Sequence, residues 1–189
     1  MRKSVLLLLT SLTLAVLLAS GIAWAATVNC SPDAFRCRGT DGPDTIYGTD
    51  GQDAINAREG ADKVYGRGGD DLEDVESGGG LEGDDGDDLV RGGEGMDDVF
   101  GGRGSDRVFG GPGDDYVTGE TRNHFIGGEA PNDYISGGSG DDTIRAQDRY
   151  RDRIYCGLGH DTVTADNVKD TRPSGRDFVD DSCEDVTRE

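Results

Sequence analysis

The chain has 189 residues, of which 32 are glycine, and its 39 acidic residues outnumber the 19 lysines and arginines, so that the formal net charge is −20. The glycine content is well above the usual share of about 7%, and the acidic balance argues against a nucleic-acid partner, whose phosphates it would repel. Composition alone would suit an acidic disordered chain, but the apolar residues recur in register, which excludes that interpretation.

Residues 1–25 are predicted to be a secretory signal peptide. Arg2 and Lys3 precede an almost entirely apolar run from Val5 to Leu18, and Ala23-Trp24-Ala25 fits a small-x-small cleavage site. The apolar run is too short for a membrane span. We therefore expect a secreted, extracellular chain that begins at Ala26 and does not insert into a membrane once the signal is removed.

A nine-residue repeat follows a short N-terminal cap at residues 26–38. It is clearest at 92–118, where GGEGMDDVF, GGRGSDRVF and GGPGDDYVT succeed one another without a gap. Each unit has glycine at positions 1, 2 and 4, aspartate at position 6 and a branched apolar residue at position 8. A short fixed period of this kind is typical of a stacked solenoid.

The repeat extends over residues 39–164, and a C-terminal cap at 165–189 follows it. Fourteen units begin at Gly39, Gly48, Ala57, Gly66, Asp74, Gly83, Gly92, Gly101, Gly110, Gly119, Gly128, Gly137, Gln147 and Cys156. Their position-8 residues are Ile46, Ile55, Val64, Leu81, Val90, Val99, Val108, Val117, Ile126, Ile135, Ile144, Ile154 and Val163. The Gly66 unit is one residue short, so Leu72 is expected to fill its inward place, and Ala146 is an extra residue before Gln147.

This pattern predicts an all-β solenoid. The residues around position 8 can form only a very short strand, with position 8 on one face and positions 7 and 9 on the other. Two units then make one coil of 18 residues, and the units give about seven coils, or a stack about 34 Å long at the usual strand spacing. The core is one thin layer, so we expect another interaction to stabilise it.

Position 6 supplies the candidate for that interaction. It carries Asp44, Asp53, Asp62, Asp71, Asp88, Asp97, Asp106, Asp115, Asp133, Asp142, Asp152 and Asp161. Stacking would place Asp44, Asp62, Asp97, Asp115, Asp133 and Asp152 along one edge, and Asp53, Asp71, Asp88, Asp106, Asp142 and Asp161 along the other. Like charges about 5 Å apart repel, and a hard cation held by these carboxylates and by turn carbonyls would reverse that effect. Calcium, which takes six to eight oxygen ligands, fits better than magnesium.

The GGxGxDxUx units resemble those of the RTX, or haemolysin-type, calcium-binding repeat proteins. The resemblance implies a parallel β-roll in which several Ca²⁺ ions lie between adjacent turns, bound by the position-6 aspartates. It also implies that folding depends on calcium. Two units depart from the pattern, with Gly79 and His124 at position 6, and we expect each to interrupt the calcium row on its own edge. The N-terminal signal also departs from the family's usual C-terminal export signal.

Four cysteines, Cys30, Cys37, Cys156 and Cys183, indicate two disulfides in an exported chain, and three pairings are possible. A disulfide needs Cα atoms within about 7 Å, which is far shorter than the stack. The pairing we predict is therefore Cys30 with Cys37 and Cys156 with Cys183. The second bond would pin the C-terminal cap, whose Val168, Phe178, Val179 and Val186 could cover the last coil.

No enzyme signature accompanies the repeat. No serine lies on a strand-to-helix elbow, the glycine-rich runs lack the lysine of a phosphate-binding loop, and the paired acids recur with the repeat. His124 and His160 are interpreted as turn residues. The predicted function is thus a secreted calcium-binding protein with a structural or surface-interaction role. The alternative is a carbohydrate- or cell-wall-binding module that uses Tyr47, Tyr65 and Phe100 on an outer face.

Overall fold

The computed structural model describes residues 25–32, 36–72, 80–119, 133–147, 151–165 and 177–188. The predicted signal peptide, apart from its last residue, lies outside this part of the chain. Within the described ranges the regular structure is entirely β, and no helix there is long and apolar enough to cross a membrane.

Two parallel sheets of eight short strands form the fold. Successive strands alternate between the sheets, so that one sheet contains the odd-numbered strands in order from β1 to β15 and the other the even-numbered strands from β2 to β16. The strands are β1 Thr27–Asn29, β2 Cys37–Arg38, β3 Thr45–Tyr47, β4 Ala54–Asn56, β5 Lys63–Gly68, β6 Gly80–Asp85, β7 Leu89–Glu94, β8 Asp98–Arg103, β9 Arg107–Pro112, β10 Tyr116–Thr118, β11 Tyr134–Ser139, β12 Thr143–Ala146, β13 Arg153–Leu158, β14 Thr162–Ala165, β15 Phe178–Val179 and β16 Asp185–Arg188. This arrangement is a parallel β-roll, as predicted.

The position-8 side chains form the core between the sheets. In the odd sheet Val64 is in register with Ile46 and with Val90, and in the even sheet Leu81 is in register with Ile55 and Val99. The twelve predicted position-8 residues within the described ranges are all at most 2% exposed. The thirteenth, Ile126, lies outside those ranges. Because neighbouring coils align identical positions, a small branched side chain at position 8 packs on another above and below it.

The repeat contains an insertion where the sequence suggested two units. Asp71 takes position 6 of its coil, and the next strand in that coil is β6, whose Leu81 pairs with Ile55 of β4. Leu72 does not fill the inward place; Leu81 does. The predicted Gly66 and Asp74 units therefore form a single unit of the roll, which contains extra residues between Asp71 and Leu81. Residues 73–79, which include Gly79, lie outside the described part of the chain.

A second insertion separates Gly119 from Asp133. Strand β11, which begins after Asp133, pairs directly with β9, while β10 pairs directly with β12 in the other sheet. No strand from the predicted Gly119 unit stands between these pairs, so this unit and the Gly128 unit also count as one. His124 and Ile126 belong to residues 120–132, outside the described ranges.

Position 1 faces inward, two residues after position 8. Ala146 is buried there and aligns with Ala165 of the next coil, so the extra residue of this unit follows Ala146 rather than being Ala146 itself. Cys156 occupies the same inward position and is fully buried. Ala57 is likewise buried at position 1 near the other end, so this position tolerates a small side chain at both ends of the repeat.

The ends continue the roll instead of leaving it. Strands β1 and β2 add a coil below the first repeat, where Cys37 takes the place of a position-8 residue against Ile55. Strands β15 and β16 add one above, where Val179 aligns with Ile154 and Val186 with Val163. Val179 packs against the core, while Phe178 and Val186 stay partly exposed at 49% and 37%. Val168 lies outside the described residues.

Both predicted disulfides are confirmed. Cys30 and Cys37 have Cα atoms 5.5 Å apart, and Cys156 and Cys183 have Cα atoms 5.1 Å apart. One bond closes the first coil, and the other ties the segment between β15 and β16 to β13. Each end of the solenoid, where the core would otherwise open to solvent, is thus fastened covalently.

Candidate calcium-binding turns

The position-6 aspartates form two rows, one along each edge of the roll, which we call the inner rows. All twelve are buried, with no more than 6% of any residue exposed. The two insertions change the predicted assignment. One inner row runs Asp44, Asp62, Asp88, Asp106, Asp133 and Asp152, and the other runs Asp53, Asp71, Asp97, Asp115, Asp142 and Asp161. Asp88, Asp97, Asp106 and Asp115 are therefore on the edges opposite to those predicted.

Hydrogen bonds link each row from coil to coil. After the first aspartate of each row, the Oδ1 atom of every aspartate accepts the backbone N–H of the aspartate one coil before it: Asp88 accepts from Asp62 at 2.8 Å, and Asp106 from Asp88 at 2.9 Å. The same bond spans the second insertion, where Asp133 accepts from Asp106 at 2.8 Å. The carboxylate rows are continuous from Asp71 to Asp97 and from Asp106 to Asp133, so the described coils do not show the predicted interruptions; Gly79 and His124 lie outside the described ranges.

The second carboxylate oxygen has no partner in most of these turns. Among the described residues, eight inner-row Oδ2 atoms are buried and accept no hydrogen bond: those of Asp62, Asp71, Asp88, Asp97, Asp106, Asp115, Asp142 and Asp161. A buried polar atom without a partner costs free energy, and a buried unpaired charge costs much more. Eight such atoms in two regular rows indicate that a positively charged group belongs there.

The same burial changes the acidity of these groups. Burial raises the pKa of Asp71, Asp106 and Asp115 to about 8, although the backbone N–H bond to each partly offsets this. Burial likewise raises the pKa of Asp88 and Asp142 to about 7. Neighbouring carboxylates add to the rise in all five cases. Without a cation, these turns therefore favour a proton on the carboxylate.

The backbone of these eight turns is folded in an unusual way at positions 2 and 4. Position 2 has a positive φ in all eight, at Arg58, Arg67, Asp84, Gly93, Gly102, Gly111, Gly138 and Gly157. Position 4 is a glycine with positive φ in all eight, at Gly60, Gly69, Gly86, Gly95, Gly104, Gly113, Gly140 and Gly159. Only glycine adopts such angles without strain, which explains the GGxG pattern. Consecutive coils also approach closely here, since a Cβ on Gly111 would collide with the Gly93 carbonyl.

The first turn on each edge differs. Position 2 is threonine there, and neither Thr40 nor Thr49 has a positive φ. The Thr49 backbone N–H donates to Asp53 Oδ2 at 2.6 Å, and its hydroxyl lies 3.2 Å from the same oxygen. Thr40 makes the equivalent contacts with Asp44 Oδ2, at 2.6 and 3.0 Å. Asp44 and Asp53 are therefore satisfied by their own turns.

The donor set can be tested against the predicted metal. Within the described residues, no point is approached by three or more acidic, histidine or cysteine side chains. A transition-metal site is thus not indicated, and an ion in these turns would have to draw most of its ligands from backbone carbonyls. Calcium accepts such mixed oxygen sets with flexible geometry, and it supplies the positive charge that the unpartnered Oδ2 atoms lack. The residues fit calcium.

Sequence reasoning missed two acidic residues that continue the hydrogen bonds of the inner rows at the C-terminal end, the buried Asp177 and the exposed Glu184. Asp177 is 4% exposed, and its Oδ1 accepts the Asp152 backbone N–H at 3.0 Å. The Glu184 carboxylate accepts that of Asp161 at 3.0 Å. Each lies two residues before an apolar residue, Val179 or Val186, as position 6 lies before position 8. This acid-x-valine spacing was the signal that could have identified them.

A second set of carboxylates lies at position 5, and we call it the outer row. It consists of Asp70, Asp87, Asp114 and Asp141, which are exposed. Each accepts the backbone N–H of position 5 in the next coil, from Met96, Ser105, Asp141 and His160 at 2.8–3.0 Å. His160 is an exposed turn residue, as predicted, and its Nε2 lies 3.4 Å from Asp185.

Comparison with known proteins agrees with this geometry. The model of the RTX calcium-binding nonapeptide repeat matches the chain in four copies, at residues 38–73, 81–108, 91–121 and 123–148. Neither a search of curated proteins nor a search of solved structures found a significant match. The four copies together cover more than half of the 189 residues, include ten of the twelve predicted inner-row aspartates and coincide with the coils. The chain therefore belongs to the RTX calcium-binding nonapeptide repeat family.

Proposed function

We propose that this protein is a secreted, non-enzymatic β-roll whose folding depends on calcium and which serves a structural or surface-interaction role outside the cell. The observation that carries the calcium dependence is the set of eight buried Oδ2 atoms without a hydrogen-bond partner. The sequence supports secretion through the predicted signal peptide at residues 1–25 and through the two disulfides.

The residues proposed to hold the ions are the eight aspartates with an unpartnered Oδ2, together with Asp133 and Asp152 of the same rows. Bound calcium would neutralise the carboxylates of successive coils. The protein's own part is to aim these oxygens inward, through the positive φ angles at positions 2 and 4, and to exclude water by stacking one coil on the next. Both inner rows would contribute, so several ions are expected per chain.

Circular dichroism with and without calcium tests this proposal. In millimolar calcium, the range in which extracellular modules bind the ion, we expect a β spectrum. In excess chelator at pH 8 or above, where the inner-row carboxylates lose their protons, the spectrum should change to that of a largely unfolded chain, because the thin core cannot offset their burial and mutual repulsion. Magnesium at the same concentration is the control and should restore little structure. An identical spectrum in chelator and in calcium would contradict the proposal.

A second candidate function is glycan binding at the outer face of the odd sheet. Tyr47 and Tyr65 stack there with ring centroids 5.2 Å apart, and Tyr134 and Tyr155 stack at 5.1 Å. Phe100, which we had placed on this face, belongs to the even sheet and is only 4% exposed. The ring planes of Tyr47 and Tyr65 are only 15° apart, so the two rings cover each other's faces.

Charge also distinguishes this face from the rest of the molecule. Positions 7 and 9 of β3, β5, β7, β9, β11 and β13, which flank the buried position 8, include Lys63, Arg91, Arg107 and Arg153 and no acidic residue. In a chain with a net charge of −20, this segregation favours an acidic glycan over a neutral one. Glycan-array binding that is lost in Tyr65→Ala, with calcium-dependent folding intact, would support this candidate.

A further inference from the structure

We propose that Thr40 and Thr49 close the first turn on each edge to calcium, so that the ion rows start one coil later, at Asp62 and Asp71. The inference rests on the proposed calcium binding and specifies which turns take part. It concerns the identity and backbone angle of position 2, which decide whether the carboxylate of the same turn is free for an ion.

The first argument is the correspondence between backbone angle and unpartnered oxygen. The eight turns with a positive φ at position 2 are the same eight in which the position-6 Oδ2 atom accepts no hydrogen bond. In the turns of Thr40 and Thr49, φ at position 2 is not positive, and Oδ2 receives the threonine's own backbone N–H. An ordinary angle at position 2 thus accompanies the bond from this N–H to the carboxylate, and a positive angle accompanies an unpartnered Oδ2.

The chemistry of threonine explains the difference. A β-branched residue is strongly disfavoured in the left-handed region, so threonine at position 2 holds the ordinary backbone angle. Its hydroxyl then reaches into the turn, where it lies 3.1 Å from the carbonyl of Gly51 and accepts the Gly51 N–H at 3.2 Å. Closure thus engages the carboxylate and also a position-4 carbonyl, two of the oxygens that a calcium ion would need.

The strained residues support the same conclusion. Arg58, Arg67 and Asp84 are not glycine, yet they adopt φ angles of 82°, 87° and 78° at position 2. Such a conformation costs of the order of 1 kcal/mol or more for a residue with a side chain. Three turns keep this strain, although the closed conformation is available to the fold at Thr40 and Thr49. The open turn is therefore maintained against a local cost, which a bound ion would offset.

Native mass spectrometry of the mature chain in calcium is the experiment, with the number of bound ions as the readout. Thr49→Gly should let the turn of Asp53 open and should bind one more ion than the wild type. Thr49→Ser is its control, because serine keeps both donors, and its ion count should not change. Arg67→Thr should close the turn of Asp71 and remove one ion, while Arg67→Gly, which loses the same side chain, should keep the wild-type number.

The outcomes separate the two proposals. A wild-type chain that binds no calcium overturns the proposed function. A wild type that binds calcium, with Thr49→Gly at the same count, overturns the role of the threonine while leaving calcium binding intact. If Thr49→Gly does not fold, the Arg67 pair decides, and equal counts for Arg67→Thr and Arg67→Gly overturn the inference.

Discussion

The inner and outer rows of carboxylates accept the same hydrogen bond and differ in burial. Asp88 and its neighbour Asp87 belong to one turn, and each accepts a backbone N–H from an adjacent coil, at 2.8 and 2.9 Å. Asp88 is 3% exposed and its second oxygen has no partner, whereas Asp87 faces solvent. Water can solvate the second oxygen of the outer row, while the inner row needs a proton or a cation. Burial therefore turns a common turn interaction into a candidate ion site.

The largest expected effect is on the pH dependence of the calcium-free protein, because many inner-row groups titrate together. Their folded pKa values, about 8 for Asp71 and Asp106 and about 7 for Asp88, lie above the ordinary value of 3.8. Their contribution to stability is therefore fully present below pH 3.8 and is lost as the pH rises through 7 to 8. In chelator, the folded fraction measured by circular dichroism should increase as the pH falls from 8 to 5.

Saturating calcium should remove this trend, because the bound ion keeps the inner-row carboxylates ionised in the folded state, as they are in the unfolded chain above about pH 4. Under conditions in which the calcium-free chain is folded, its calcium affinity, measured by titration calorimetry, should weaken as the pH falls below about 7, the value to which burial raises the pKa of Asp88 and Asp142. A folded fraction in chelator that falls with acidification would indicate that the inner row is not the group that controls stability.

A matched pair of alanine variants gives the next effect in size. In calcium, Asp88→Ala removes an inner-row oxygen and leaves the Asp62 N–H buried without an acceptor, which costs about 1–3 kcal/mol in addition to the lost ion contact. Asp87→Ala exposes the Ser105 N–H to water and should cost about 1 kcal/mol or less. Urea unfolding in millimolar calcium measures both, and equal losses would contradict the distinction between the rows.

The smallest expected effect is that of Asp88→Asn on the free energy of unfolding. It is also the most specific, because its sign should differ between calcium and chelator. Asp88→Asn keeps an oxygen that can accept the Asp62 N–H but removes the charge. In calcium it should destabilise the fold. In chelator at pH 8 it should stabilise the fold by roughly 1 kcal/mol or less, since the new amide N–H₂ is itself left without an acceptor. Thermal unfolding in sucrose, which favours the compact state of both chains, allows the comparison. Destabilisation under both conditions would exclude a charge effect.

The fold class could be predicted from the sequence because both the turns and the buried strand positions have a clear residue pattern. Glycine at positions 1, 2 and 4 marks the turns, and the branched residue at position 8 predicts the buried face, so Val64, Val99 and Ile135 were placed correctly. Both disulfides followed from the length of the stack. The family resemblance added the ligand, and the burial of the twelve aspartates agrees with it.

The register could not be read from the sequence at the two insertions. A degenerate repeat unit cannot be distinguished by its sequence from an insertion of about the same length. Dividing the chain into nine-residue units therefore counts DVESGGGLE and GETRNHFIG as repeat units. Only the pairing of β5 with β7, and of β9 with β11, shows which coils are adjacent. The closed turns of Thr40 and Thr49 were missed for another reason: the choice between hydrogen bond and open carboxylate depends on a backbone angle.

Because successive strands alternate between the two sheets, the number of units that precede a strand decides which sheet it joins. Duplicating or deleting a single nine-residue unit would transfer every later strand to the opposite sheet, so Tyr134 and Tyr155 would no longer lie on the side of Tyr47 and Tyr65. Changes of two units would leave both outer faces in place. Lengthening that preserves the faces must therefore occur in steps of eighteen residues, whereas insertions such as those after Asp71 and Gly119 carry no such restriction. The turns of the roll can thus vary in length without moving any residue from one outer face to the other.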